Sequence, residues 1–352
     1  MRFFTPLLLL ALLSLNAYAQ TDAQAKTPWS IGVLYWSNTI AGQIAMRKGL
    51  EEEAEKINRE AKSTGKRPIV LTSKIAGDGP QGIENQIQQM VQLVATKPDA
   101  IIVQPTDNAA LAGPLIAANR AGIPVIAYDQ YISEGTLASF ITSNNDQAGR
   151  LGGEYLASLF PDEKPMQLVL VEYPSVSSTV ERLNGFLDAL QERGQAYRIL
   201  ASFQAVQPEE GARAAHAILK QFPDKGSIDA IFTVNDGGGL SVVDILAAAG
   251  RTEIVVATVD GDPASVANIK AKRLTRIDSA QFCGPLGATA MRTTYQVLLG
   301  KKVSPQILIP SFPITTQTLT RYPGWAGPIP AAFQKPWPSR TPLWQNRLVE
   351  AP

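Results

Sequence analysis

The 352-residue chain predicts an α/β protein of two similar lobes, each a parallel sheet with helices on both faces. Three observations carry that expectation. Strand-like and helix-like segments alternate along most of the chain, the pattern of parallel sheets joined by helical crossovers. The strand segments are near-continuous apolar runs, such as AIIV (100–103) and EIVVA (253–257), as a sheet buried on both faces requires. The alternation also runs twice, with about five strand–helix units in each half.

In the first half, SIGVLYW (30–36) reads as a strand, followed by a helix from about Gly42 to Arg59. PIVLTSK (68–74) is a second strand. Segment 82–96 sets Ile83, Ile87, Met90, Val91 and Val94 at helical spacing. A strand over 99–104 precedes a helix closed by Gly122, since glycine readily takes the left-handed conformation that ends a helix. Residues 123–128 and 138–143 are strands. The second half reads as helix 146–160, strand 167–173, helix 179–193, strand 198–206 and helix 209–222. Strand 229–234, helix 239–249, strand 253–260, helix 263–271, strand 274–281, helix 285–299 and strand 306–311 complete the regular part. Beyond residue 322 the chain is rich in Pro and Trp and has no period, which excludes a regular helix or central strand. Trp325, Trp337 and Trp344 are costly to leave in water, so an extended arm packed on a lobe is expected.

Composition narrows the function. Apolar residues make up 45% and charged residues 18%, enough for a real core. Lys and Arg number 32 against 31 Asp and Glu, so no basic field is available to hold nucleic acid or an anionic membrane. At the amino terminus Arg2 precedes an apolar run from Leu7 to Leu15, and Ala17-Tyr18-Ala19 forms a small-x-small cleavage site. Residues 1–19 are expected to be a cleaved secretory signal, leaving a soluble mature chain from near Gln20. No Cys stands directly after the apolar run, which argues against a lipid-anchored form. The single Cys, Cys283, and single His, His216, exclude an internal disulfide and a His/Cys zinc site. His216 falls in a helical segment, and Cys283 reads as a small buried hydrophobe. GDGP (77–80) and NDGGG (235–239) match no nucleotide-binding loop, and no nucleophile–base pair is visible. A binding protein without metal or cofactor is expected, not an enzyme.

Polar residues stand at the ends of the apolar strands. Ser37 and Asn38 come after the first, Thr106 and Asp107 after the third, and Asp129 and Gln130 after the run ending at Tyr128. Asn144 and Asn145, then Asn235 and Asp236, come after later strands, while Asp260 and Gln281 end theirs. In open α/β sheets ligands sit at the carboxyl ends of the strands. Carboxylates and amides there, with aromatic faces from Tyr35, Trp36, Tyr128 and Tyr131, suit a neutral polyhydroxy ligand, whose hydroxyls donate to Asp and exchange both roles with Asn and Gln. Some of these polar residues serve helix starts instead; Asn145 and Asp236 are expected to be caps.

The ordered stretches IGVLYWSN, IIVQPTDNAAL, AGIPVIAYDQ, ITSNNDQAGRLGGEYLA, IDAIFTVNDGGGL and VVATVDGDPASVANI resemble the ribose-type (type I) periplasmic sugar-binding proteins, from about Ile31 to Val303. The resemblance implies two lobes joined by a three-segment hinge near Ser143, Gln281 and Ser311. One lobe would combine 28–143 with 282–308 and the other 144–281 with 309–322, leaving 323–352 as the arm. It places ligand contacts at Asp129, Asn235 and Asp260, with Gln281 at the hinge. The expected site is Trp36, Ser37, Asn38, Gln43, Asp129, Gln130, Asn235, Asp260 and Gln281. The chain departs from the family pattern in three respects. Gln130 stands where Arg often succeeds the first Asp, Val180 where a second ligand Arg usually lies, and Gly42 and Gln43 where paired aromatics are expected. The implied function is capture of a sugar or polyol in the periplasm by a monomer that delivers it to an ABC permease. The alternative is a sensory partner presenting the ligand to a membrane histidine kinase or chemoreceptor.

Overall fold

The computed structural model describes residues 27–160 and 164–351; the expected signal segment, residues 1–19, lies outside them. The chain begins with β1 (Trp29–Tyr35), α1 (Ala41–Thr64), β2 (Ile69–Ile75), α2 (Gly79–Thr96), β3 (Ala100–Val103), α3 (Ala112–Arg120), β4 (Val125–Tyr128) and β5 (Ser139–Ser143). It continues through α4 (Asn145–Ala157), β6 (Met166–Glu172), α5 (Ser177–Arg193), β7 (Tyr197–Gln204), α6 (Pro208–Gln221), β8 (Ala230–Thr233) and α7 (Asp236–Ala248). Then come β9 (Val255–Asp260), α8 (Pro263–Lys270), β10 (Thr275–Ala280), α9 (Cys283–Leu298), β11 (Gln306–Ile309), β12 (Phe312–Ile314), a single 3-10 turn, β13 (Phe333–Gln334), β14 (Leu343–Trp344) and β15 (Val349–Glu350).

Two large sheets result, ordered β15-β11-β5-β4-β3-β1-β2 and β12-β10-β9-β8-β6-β7, beside the two-stranded pair β13-β14. Side chains alternate between faces along each strand. Ile31, Val33 and Tyr35 of β1 join Met46 and Leu50 of α1 and Leu286 of α9, whereas Leu34 joins Met90 and Leu93 of α2 and Leu115 of α3. In the second sheet Leu168 and Leu170 meet Leu156 and Phe186 of α4 and α5, while Val169 and Val171 meet Ile218 and Val242 of α6 and α7. Helices therefore cover both faces of both sheets.

The sheets are not wholly parallel. β12 runs antiparallel to β10, and β15 antiparallel to β11. The strand expected over 306–311 stops at Ile309, before Pro310, which has no N–H to donate to a ladder, and a further strand, β12, not expected from the sequence, begins at Phe312. β11 belongs to the first sheet and β12 to the second, so the chain changes lobe between them. It changes lobe as well between β5 and α4, and between β10 and α9. These crossings are tied together: Ser143 Oγ donates to Gln281 Oε1 at 2.8 Å, Asn144 N to the Ile309 carbonyl at 2.6 Å, and Ser311 Oγ to the Asn144 carbonyl at 3.2 Å.

The aperiodic arm is packed, not free. Trp344 is 1% exposed and Trp337 7%. The hairpin β13–β14 lays Phe333 and Trp344 on Phe312, Trp337 meets Tyr155 edge-on, and Lys335 reaches Glu154. These partners belong to the second lobe, yet β15 at the arm's end joins the first sheet. No helix among the described residues is long and apolar enough to cross a membrane.

Candidate functional site

The carboxyl ends of both sheets open on one cavity of about 400 Å³. Of the nine residues expected there, Trp36, Gln43, Asp129, Gln130, Asn235, Asp260 and Gln281 line it. Ser37 and Asn38 do not. Ser37 is buried and its Oγ accepts from the backbone N–H of Thr39 and Ile40, so it shapes the turn into α1; Asn38 is exposed outside the cavity.

Asp129 and Asp260 occupy equivalent places, at the ends of β4 and β9. Both have a backbone conformation that L residues rarely adopt, with φ of 67° and 131°. The other two non-glycine residues of positive φ among those described, Lys97 and Lys272, lie just past helix ends. Such conformations cost about 1–3 kcal/mol each and persist where the surroundings impose them. At Asp129 the surroundings are β5: its N–H donates to the Ile141 carbonyl at 2.8 Å and its carbonyl accepts from Thr142 Oγ1 at 2.9 Å. Gln104 Nε2 donates to Asp129 Oδ2 at 2.9 Å. Asp260 Oδ1 accepts from Gln281 Nε2 at 2.6 Å and from Arg182 Nη1 at 3.0 Å. Gln281 thereby links the first crossing strand, through Ser143, to the cleft carboxylate of the second lobe. Gln130 reaches across the cleft, donating to Ser178 Oγ of α5 at 2.9 Å.

Two helix caps sit one residue earlier than expected. Asn144, not Asn145, accepts from Gln147 N, and Asn235, not Asp236, accepts from Gly238 N. The second shift bears on the site. Asn235 lines the cavity, but its Oδ1 caps α7 and its Nδ2 donates to the Val206 carbonyl. Asp236 turns inward, where Thr258 Oγ1 and Asp262 N donate to its carboxylate at 2.8 Å each.

The expected set lacks Arg182. It is 3% exposed and binds Asn145 Oδ1 at 3.0 Å, the Val234 carbonyl at 2.9 Å and Asp260 at 3.0 Å. Val180, which stands where the family pattern has an arginine, is exposed at 37%. Arg182 reaches the cleft because α5 lies hard against α4: a Cβ at Gly149 would stand 1.9 Å from the Arg182 carbonyl oxygen. The sequence carries a signal for it. Ser178, Arg182, Gly185, Phe186 and Ala189 form one helical stripe, and an arginine on a stripe of small and apolar residues faces inward. The expected set also lacks Tyr173 and Trp325, which add aromatic surface to the cavity.

Burial governs the electrostatics. Asp129 is pushed up to about 6 by desolvation, against the lowering effects of the Gln104 hydrogen bond and the Arg182 charge. Burial also raises Asp260, again opposed by Arg182 and Gln281. Asp278, fully buried behind the cleft, is pushed up to about 7 by burial, and Asp236 is raised by burial and by the Asp278 charge. Among the described residues no group of three or more His, Cys, Asp or Glu is placed to hold a metal ion.

Raised carboxyl pKa values make stability depend on pH. The folded chain holds protons that the unfolded chain releases near pH 4, so the stabilisation is complete below that pH and is lost as pH rises through about 6 and 7. The urea midpoint is expected to be lower at pH 8 than at pH 5. Asp278→Asn should flatten the dependence, because the amide oxygen can still accept from Gly261 N without an ionisable proton. Equal midpoints at the two pH values in the parent protein would rule out this account of the buried carboxylates.

Comparison with known proteins agrees with this fold. The family model described as periplasmic binding protein domain matches residues 31–302. The ribose import binding protein of Escherichia coli (strain K12) is 26% identical over 296 residues, covering 84% of this chain and 93% of that protein. The ribose import binding protein of Bacillus subtilis (strain 168) is 27% identical, covering 76% and 81%. Among solved structures, the Caulobacter myo-inositol binding protein bound to myo-inositol superposes with a TM-score of 0.71 at 24% identity, covering 84% of this chain and 95% of that one. A periplasmic solute binding protein from Actinobacillus succinogenes 130z with bound D-allose gives 0.70 at 23% identity, covering 84% and 100%. At these identities the structural likeness is one of fold.

Proposed function

The chain belongs to the periplasmic binding protein family, and from that premise we propose that it captures a sugar or polyol between its two lobes and delivers it to the permease of an ABC importer. One observation carries the reading: two opposed aspartates, at equivalent strand ends and in strained backbone, line the same cavity. Carboxylates held in place by their own backbones accept hydroxyl hydrogen bonds with little reorganisation on binding. Gln130 and Gln281 add groups that both donate and accept. The ribose and myo-inositol named for its relatives belong to the same chemical class. In this reading residues 1–19 direct export to the periplasm. The lobes close about the three crossings, because only the closed form brings both sets of contacts to one ligand. Binding is the whole task, and no turnover of sugar or sugar phosphate is expected.

A thermal-shift panel of pentoses, hexoses and cyclic polyols on the mature protein tests it. A specific ligand at a hundred times its Kd should stabilise by about 2.7 kcal/mol. Asp129→Asn should then weaken that ligand roughly ten-fold to over a hundred-fold by calorimetry, the loss of one charge-assisted bond of about 1.5–3 kcal/mol. Its melting temperature without ligand should stay close to the parent's. A panel with no stabilising sugar or polyol would sink the proposal, as would turnover that one cleft substitution abolishes.

A further inference from the structure

The match to the family model ends at residue 302, and the arm beyond it enters the cavity. Trp325 is a lining residue, half-buried, at the arm's beginning. It is held from both lobes. Its ring N–H donates to the Asp260 carbonyl at 2.7 Å, and its own carbonyl accepts from Gly284 N, at the start of α9, at 3.0 Å. The arm's backbone passes close to α9, where a Cβ at Gly284 would lie 3.1 Å from Ala326 Cα, and the ring lies at contact distance from α1, 4.0 Å from where a Cβ at Gly42 would stand. Because the indole N–H is taken by Asp260, what the ring offers the cavity is carbon. The same residue that presents a carboxylate to the cleft therefore fixes the position of an apolar face beside it.

We propose that Trp325 is a ligand-contacting, specificity-determining residue, its indole covering the C–H face of a ring-shaped sugar or cyclitol while Asp129 and Asp260 take the hydroxyls. This rests on the reading of the cleft as a sugar or polyol site and adds a selection by shape. A ring has a flat C–H face that an indole can cover. An open-chain alditol presents hydroxyls on every side, and a carbon surface would leave some of them unpaired. The arm thus belongs to the binding site as well as to the fold.

The test is a calorimetric titration of the parent, Trp325→Ala, Trp325→Leu and Trp325→Phe. Each is titrated with the tightest-binding ring sugar or cyclitol and with an open-chain alditol of the same carbon number. The ring ligand should bind about ten-fold more weakly to the Ala and Leu variants and within about three-fold of the parent to the Phe variant. The alditol should change by less than about three-fold throughout, so the preference for the ring collapses. The Leu and Phe variants fill most of the indole's space, so they report even if Trp325→Ala does not fold. Equal weakening of both ligands would mean that Trp325 acts only by holding the arm, and would overturn the proposal. So would unchanged affinities. A parent protein that binds no sugar or polyol gives a different result, failure of the cleft reading itself, and the assignment of Trp325 would fall with it.

Discussion

Arg182→Met is expected to destabilise the protein by about 3–5 kcal/mol and to remove ligand binding. The guanidinium joins three elements at their cleft ends: α4 through Asn145, β8 through the Val234 carbonyl and β9 through Asp260. Methionine fills much of the volume but leaves the partly buried Asp260 carboxylate, 20% exposed, without its positive partner, which costs more than the pair contributes. Arg182→Lys should recover little, since one ammonium cannot match the fork that serves three acceptors. The informative variant is Arg182→Met with Asp260→Asn. Removing the orphaned charge should restore a large part of the stability lost in the single variant, while binding stays absent. Urea melts of the four proteins decide it. A single-variant loss below about 1 kcal/mol would mean that the ion pair is solvated and screened, and that Arg182 does not organise the site.

Trp344→Ala should cost about 3–5 kcal/mol as well, a large figure for a residue so near the end of a 352-residue chain. Its ring packs edge-on against Phe312 at 5.2 Å and tilted against Phe333 at 5.3 Å, and its N–H donates to the Ser311 carbonyl at 2.7 Å. Ser311 lies in the third crossing between the lobes, so the indole fixes the hinge and the arm at once. Alanine leaves a cavity and an unpaired buried carbonyl. The pairing of β15 with β11 amounts to two residues a strand and should not persist alone. Hydrogen exchange should therefore rise across 323–351 and at β11, together with a lowered melting temperature. Trp344→Phe keeps most of the packing and loses only the hydrogen bond, so about 1–2 kcal/mol is expected of it. Exchange confined to residues adjoining 344 would show that the arm's remaining contacts, Lys335 with Glu154 and Trp337 with Tyr155, hold it without this ring.

The sequence by itself determined the class of fold, the order of its main elements, and a core of the cleft's polar wall: Gln43, Asp129, Gln130, Asn235, Asp260 and Gln281. Apolar runs of strand length between helical periods are local signals, and the two-fold repetition of the pattern needs no knowledge of contacts. Asp129, Asp260 and Gln281 were legible for the same reason: each stands where an apolar strand stops, and in an α/β sheet that place is the ligand's. Tertiary structure decided the rest. Whether Asn235 or Asp236 caps α7 turns on one residue of helix phase, and that phase decides which side chain is spent on the helix start and which is held by Thr258 and Asp262. Ser37 comes after a strand just as Asp129 does, yet the turn into α1 consumes its hydroxyl. Arg182 looks into the cleft because Gly149 lets α5 settle onto α4, a contact between residues 33 positions apart. The arm has no period at all, so nothing local could say where it lands. Phe312, Glu154, Tyr155 and the free edge of β11 hold it, distant in sequence and on both lobes, and they deliver Trp325 to the cavity. Strand and helix are choices a segment makes from its own side chains, but the partner of a buried charge or an indole is fixed only when distant parts of the chain meet.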